Sequence, residues 1–374
     1  MLSHLPITLV AGLDETTRGS VAATLLHAAP SAVLIQYDVS GLAGGSVVRT
    51  ARTRSGEIDR ETIRMSHPCV SCAMRESLVP LLVSIAATER YGAAIVSIPA
   101  AGDPQALAAE IAADATGELR VDAVIAVLDT DSFVEDVSGE DLLQDRPIRT
   151  AAEDGRAVAE VVARQLEYAN AVVLSRPDET AEALARAINP QALIRAADSV
   201  EDLLGVRLHD PDAARTWVEP GSICAPLHES DGDVQTLVWQ AARPFHPERL
   251  YDALEDLVAG SARGKGTVWL ATQPHARLGW DSFGANIAIE VLGPWLADLP
   301  VERWSEVGQT HQARSALEWH PAHGDRASYL SITGVGLNLR ELTDLLNGCL
   351  LRADEWHVEL VDPFAPYLEG STAA

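Results

Sequence analysis

The chain has 374 residues, 47% of them hydrophobic and 22% charged, enough apolar material for two domains with cores of their own. Its formal net charge is −26, which argues against direct nucleic-acid binding: a polyanion repels phosphate and gains nothing from counterion release. No apolar run approaches the ~20 residues that cross a bilayer. No basic segment followed by a long apolar stretch opens the chain, so a cytoplasmic location without membrane contact is expected.

Residues 7–11 read as a buried first strand. The loop Gly12-Leu13-Asp14-Glu15-Thr16-Thr17-Arg18-Gly19-Ser20 follows, then the apolar face of a helix at Val21, Leu25 and Leu26. Strand, glycine turn and helix is the setting of a phosphate-binding loop, which ends in Lys and then Ser or Thr. Here Arg18 holds the Lys position, Thr17 precedes it, and Gly19 stands at the hydroxyl position, with Ser20 next. Downstream, strand-like runs at 32–35, 93–98, 121–128 and 171–174 alternate with helical patterns at 78–85, 105–113, 158–169 and 180–188. Continuous apolar strands separated by helices predict an α/β fold, a mostly parallel sheet covered on both faces. Ligands in such sheets bind at the carboxyl ends of the strands, where the 12–20 loop falls.

Residues 217–233 are rich in Pro, Gly, Ser and Asp and read as a linker between a domain at 1–216 and another at 234–366. In the second, strand-like runs at 236–239, 267–271 and 329–332 flank helices at 247–257 and 339–351, and most of the eight tryptophans fall here. This predicts a smaller α+β domain with helices on one side of its sheet. Residues 367–374 read as a disordered tail.

Cys69 and Cys72 form a C-x-x-C pair, which in a long chain without a secretory signal points to metal or redox chemistry. His67 is the nearest further donor; two thiolates and one imidazole leave a fourth zinc position open. A reduced thiol pair within the fold is the alternative. Cys349 sits in an apolar run and reads as core, and Cys224 carries little signal. His311, His320, His323 and His357 are dispersed and make a metal cluster only if the fold gathers them. Arg243, Arg263 and Lys265 are the densest basic spot of an acidic domain; they either pair with Asp and Glu neighbours or contact a partner.

Several patterns, in order and over nearly the whole chain, resemble the CobW-type proteins of the P-loop GTPase class. The family's Gly-Cys-x-Cys-Cys motif falls at Pro68-Cys69-Val70-Ser71-Cys72, followed by Arg75 and Leu78. Its Glu-Thr-x-Gly segment ahead of Asp-Pro falls at 97–104, where Ser97 replaces the acid and Asp103-Pro104 is kept. Its guanine-specificity Asn-Lys-x-Asp becomes Ser175-Arg176-Pro177-Asp178, after a matching helix and strand at 165–174 and before Ile188-Asn189-Pro190. The C-terminal domain resembles the family's at Arg243-Pro244-Phe245-His246-Pro247, at Arg263-Gly264-Lys265-Gly266-Thr267-Val268-Trp269, and at Trp319-His320-Pro321 with Gly324-Asp325-Arg326. Within the family, the weakened loop, Cys-Val-Ser-Cys, and Asp154-Gly155-Arg156-Ala157-Val158-Ala159-Glu160-Val161-Val162 are similar to an actinobacterial subgroup that recruits a ribosome-hibernation factor under zinc shortage.

The resemblance implies a degenerate nucleotide site at Gly12, Arg18, Gly19, Ser20, Arg176 and Asp178, and a zinc site at Cys69, Cys72 and His67. A working loop wraps phosphates in backbone N–H groups. Asp14 and Glu15 would face those phosphates, and at an effective dielectric near 20 each like-charge pair ~4 Å apart costs roughly 4 kcal/mol before screening. The expected function is an adaptor in zinc starvation, bringing a hibernation factor to the ribosome, with GTP and Mg²⁺ held weakly. Partners are then that factor, ribosomal proteins or a zinc client. A GTP-dependent zinc metallochaperone is the alternative, so enzymatic turnover stays open; a zinc sensor acting through Cys69 and Cys72 is the second alternative.

Overall fold

Strand β1 (Leu5–Ala11) is buried on both sides, which is why its sequence is apolar apart from Thr8. In the computed structural model, which describes residues 4–65, 70–148, 154–222 and 230–368, it lies inside an eight-stranded sheet. The other strands are β2 (Ala32–Asp38), β3 (Ser46–Thr53), β4 (Gly56–Arg64), β5 (Ala93–Ser97), β6 (Leu119–Leu128), β7 (Ala171–Leu174) and β8 (Leu193–Ala196). Their order is β4-β3-β2-β5-β1-β6-β7-β8, and all pairings from β2 to β8 are parallel. The α/β expectation holds. It missed the antiparallel β3–β4 hairpin, whose second strand is exposed along most of its length and so lacks an apolar signature.

Helices α1 (Glu15–Ala28), α2 (Val70–Ala87), α3 (Pro104–Ala112), α4 (Phe133–Ser138), α5 (Val158–Tyr168), α6 (Glu179–Ile188) and α7 (Pro211–Val218) complete this unit. Alternate residues of β1 serve different cores. Val10 packs with Val21 and Leu25 of α1, whereas Ile7 and Leu9 pack with Leu78 and Leu82 of α2 and Leu107 of α3. This positions the β1–α1 turn at the carboxyl edge of the sheet.

The chain divides into two compact units, Met1–Val218 and Glu219–Ala374. The second holds β9 (Ser230–Asp231), β10 (Val234–Ala241), β11 (Ser261–Val268), β12 (Ala276–Phe283), β13 (Asn286–Pro294) and β14 (Ser328–Val335), in the order β13-β12-β11-β14-β10-β9, all antiparallel. Its helices are α8 (Pro247–Asp252), α9 (Leu254–Val258), α10 (Gln309–Glu318), α11 (Leu339–Gly348) and α12 (Ala365–Leu368). Leu250, Leu257, Leu342 and Leu346 pack with Leu278, Trp280, Leu330 and Ile332 on one face, and Cys349 belongs to this core. Helix α10 departs from the one-sided expectation: its Arg314 lies over the ring of Tyr329, which points to the other face. Helix α7 occupies the first two residues of the expected linker, and α12 the first two of the expected tail, where Leu368 is buried.

Candidate functional site

The β1–α1 turn is built around contacts within the chain. A Cβ at Gly12 would stand 2.5 Å from the Val127 carbonyl oxygen of β6, so glycine is demanded by strand packing, independently of any ligand. Asp14 caps α1: its carboxylate accepts from the Thr17 backbone N–H at 2.6 Å. That N–H is one of the donors a phosphate would use at a helix N-terminus. Arg18 is 6% exposed and turns back into the loop. Its Nη1 donates to the Gly12 carbonyl at 2.5 Å and its Nε to Ser97 Oγ at 3.4 Å. Burial pushes the guanidinium pKa down, opposed by Glu15 and Asp14. Gly19 lies in α1 with no heavy atom within 4 Å of where a Cβ would go, so packing does not require glycine there. Ser20 is exposed.

A cavity of about 350 Å³ opens beside this turn. Its charged lining is Asp14, Glu15, Asp129 and Asp136 against Arg18 and Arg146. Arg18 is engaged as above, and Arg146 pairs with Asp136 at 3.1 Å and Asp141 at 2.6 Å. Burial pushes the Asp136 carboxyl pKa up, although the Ser132 hydroxyl, donating at 2.6 Å, and Arg146 oppose the rise. Asp129, Asp136 and Arg146 had no part in the expected site. Only the general rule that ligands meet the carboxyl ends of parallel strands pointed to the end of β6.

The expected specificity residues are turned to other bonds. Ser175 Oγ donates to Asp129 Oδ1 at 3.1 Å and accepts from the Thr130 N–H at 3.0 Å, fastening the end of β7 to that of β6. Arg176 pairs with Asp131 in solvent, and Asp178 caps α6, accepting from the Ala181 N–H at 2.8 Å. Neither Arg176 nor Asp178 lines the cavity. Asp103 caps α3. The loop between β5 and α3 is clamped from the α5 side: Gln165 donates to the carbonyls of Ala100 and Gly102 at 2.9 and 3.1 Å, and Arg156 to that of Ala101 at 2.8 Å. Asp154 holds Arg156 at 2.7 Å.

Of the expected zinc ligands, His67 and Cys69 lie outside the described residues, and Cys72 is described only as part of the first turn of α2. Cys224 also lies outside them. The fold brings His320 and His323 together as stacked rings 3.9 Å apart, while His311 binds Asp325 at 2.9 Å and His357 is exposed. Among the described residues, no group of three or more His, Cys, Asp or Glu could hold a metal ion.

The expected basic spot does not form a surface patch. Arg263 and Asp281 are each 4% exposed and paired at 2.6 Å, Lys265 is buried with Nζ 3.1 Å from Ser222 Oγ, and Arg243 is exposed.

Burial pushes the Asp325 carboxyl up, but His311 and the Ala297 and Leu296 N–H groups overcome it and hold the pKa at about 2. An acid pKa below its unfolded value stabilises the fold above the unfolded pKa and is lost as pH falls through the folded one. Asp325 should therefore contribute about 2 kcal/mol that disappears between roughly pH 4 and pH 2. Urea unfolding across that range should show Asp325→Asn weaker than the parent at pH 7 and converging with it toward pH 2.

Together, a β1–turn–α1 unit at the carboxyl edge of a mostly parallel sheet and a following antiparallel unit define a P-loop GTPase-like domain joined to an α+β domain. The chain matches the nucleotide-binding domain of CobW, HypB and UreG over residues 44–199, a stretch that begins after the turn, and the cobalamin synthesis protein CobW C-terminal domain over residues 234–350. A zinc chaperone of Mycobacterium tuberculosis is 30% identical over 387 residues, spanning 97% of this chain and 93% of its own. A zinc-regulated GTPase metalloprotein activator of Dictyostelium discoideum is 26% identical over 329 residues, spanning 81% of this chain and 69% of its own. The crystal structure of the Zn(II)-bound YjiA GTPase from E. coli aligns with 93% of this chain and 100% of its own, at 13% identity and a TM-score of 0.38. The chain belongs to the CobW family. No helix among the described residues is long and apolar enough to cross a membrane.

Proposed function

We propose that this CobW-family protein serves zinc homeostasis through protein contacts, with its phosphate-binding turn filled by its own side chains instead of by GTP. The observation that carries this reading is the pair of internal bonds from Thr17 N–H to Asp14 and from Arg18 to the Gly12 carbonyl. An entering triphosphate would have to displace a carboxylate cap and then sit among Asp14, Glu15, Asp129 and Asp136. The zinc assignment rests on relatives named a zinc chaperone and a zinc-regulated GTPase metalloprotein activator. The expected partner is a protein. The finer reading is an adaptor that carries a hibernation factor to the ribosome under zinc shortage, supported by the likeness of residues 154–162 to that subgroup. Zinc at Cys69 and Cys72 with His67 is part of the same proposal.

Calorimetric titration of GTP with Mg²⁺ into the full chain should give no saturable heat. A pull-down from zinc-depleted cells should capture ribosomal proteins together with a hibernation factor. Tight GTP binding with turnover would replace this reading by a GTP-dependent metallochaperone, which the cation retained at Arg18 favours. Capture of a zinc enzyme without ribosomal proteins would replace the recruiting role.

A further inference from the structure

The C-terminal sheet has a second face, away from its apolar core. Strand pairing sets Thr267 opposite Gly279 and Tyr329, and Arg277, two residues before Gly279 on β12, shares their side. The chain at Glu219–Ser222 crosses here: a Cβ at Gly221 would meet Leu292 at 3.2 Å, Arg277 Nη1 at 3.4 Å and Thr267 Cγ2 at 3.7 Å. Arg314 stands over the ring of Tyr329 at 5.0 Å on the same face. The face thus collects Arg277 and Arg314 beside Thr267 and Tyr329, in a chain whose net charge is −26.

Arg277 is the unusual member. Its Nε is shut away from solvent with no hydrogen-bond partner, and among the described residues its guanidinium makes neither a hydrogen bond nor an ion pair. The carboxylates whose field reaches it are Asp325 and Glu219. Asp325 is committed to His311, Ser315 and two backbone N–H groups. Burial holds the Arg277 pKa down at about 10, against the opposing field of Asp325 and with a smaller push from Arg314, so it keeps its charge at neutral pH. The guanidinium is half-buried with its Nε enclosed, and its planar fork matches the geometry of phosphate and carboxylate.

We propose that this face binds a small oxyanion, a phosphate or a carboxylate, on the Arg277 guanidinium. A phosphate group offers the fork two oxygens to accept from its N–H donors, and it must hold its place against the fields of Asp325 and Glu219. The site lies in the C-terminal unit and is independent of the β1–α1 turn, so failure of either reading leaves the other standing.

Thermal melts of the full chain in inorganic phosphate, in acetate and in chloride of equal ionic strength test it. The parent should show a saturable rise over chloride, about 3–6 °C when phosphate is in tenfold excess over its half-saturating concentration. A rise in phosphate alone assigns a phosphate ligand; a rise in both assigns a carboxylate-tolerant site. Arg277→Met should melt as high as the parent or higher in chloride and lose the rise, and Arg277→Lys should keep a reduced one. Phosphate also stabilises folded proteins non-specifically by exclusion from their surface. An equal rise in parent and Arg277→Met, or none in the parent, would therefore overturn the proposal. If Arg277→Met does not fold, the comparison of parent with Arg277→Lys decides: equal responses overturn it.

Discussion

Replacing Asp14 and Glu15 with Gly, Arg18 with Lys and Gly19 with Ser should raise the affinity for GTP and Mg²⁺ at least ~100-fold over the parent. Two carboxylates leave the phosphate path. Even if screening reduces each roughly 4 kcal/mol repulsion to a third, about 2.7 kcal/mol remains, a factor near 100. The helix should survive, because Gly at an N-cap costs only a few tenths of a kcal/mol relative to Asp. Serine at position 19 meets open space and improves the helix interior. Lysine at position 18 gives up the fork that Arg18 turns toward the Gly12 carbonyl and restores a point charge. Calorimetry on parent and variant, with circular dichroism to confirm the fold, decides the matter. A folded variant that stays silent, or a parent that binds as tightly, would show that the internal bonds of the turn are not what excludes nucleotide.

Asp281→Leu should cost about 3–5 kcal/mol, because it removes the paired carboxylate from the Arg263 charge, whose side chain is 4% exposed inside the C-terminal sheet. The double variant Arg263→Met, Asp281→Leu should recover most of that loss, since an apolar pair of similar volume is often neutral or stabilising in place of a buried ion pair. Arg263 also lies 4.1 Å from the centre of the Phe283 ring, a surface that Met can cover. Urea unfolding followed by tryptophan fluorescence measures both changes. Equal losses in the single and double variants would mean that the two charges do not act as a pair. The motif that supplies Arg263 and Lys265 is thus read as internal scaffolding, and partner contacts are sought elsewhere.

Legibility followed burial. Runs such as Ala171–Leu174 reveal their strands because both faces are covered, and their apolar character is continuous. Strand β4 escapes because its residues are mostly exposed, and β12 and β13 because Arg277, Asp281 and Glu290 interrupt the apolar pattern with charges. The turn at Gly12 was legible by position and residue type. What sequence alone could not give was direction. Nothing in the string of residues says that Arg18 folds back toward Ser97, that Asp14 occupies the helix end, or that Asp129 is drawn into the cavity by its place after β6. The pairing of Arg263 with Asp281 was hidden for the same reason, since the two meet only across adjacent strands.

The carboxylate on the end of α1 also bears on timing. A protein that orders such a turn around a bound nucleotide alternates between two states, and the exchange of that nucleotide acts as its clock. On the proposed reading, the end of α1 already has its acceptor in Asp14, and the surrounding surface is fixed as soon as the chain has folded. Such a protein would be controlled by how much of it is made and how long it lasts, so synthesis and degradation are the steps at which a cell could set its activity.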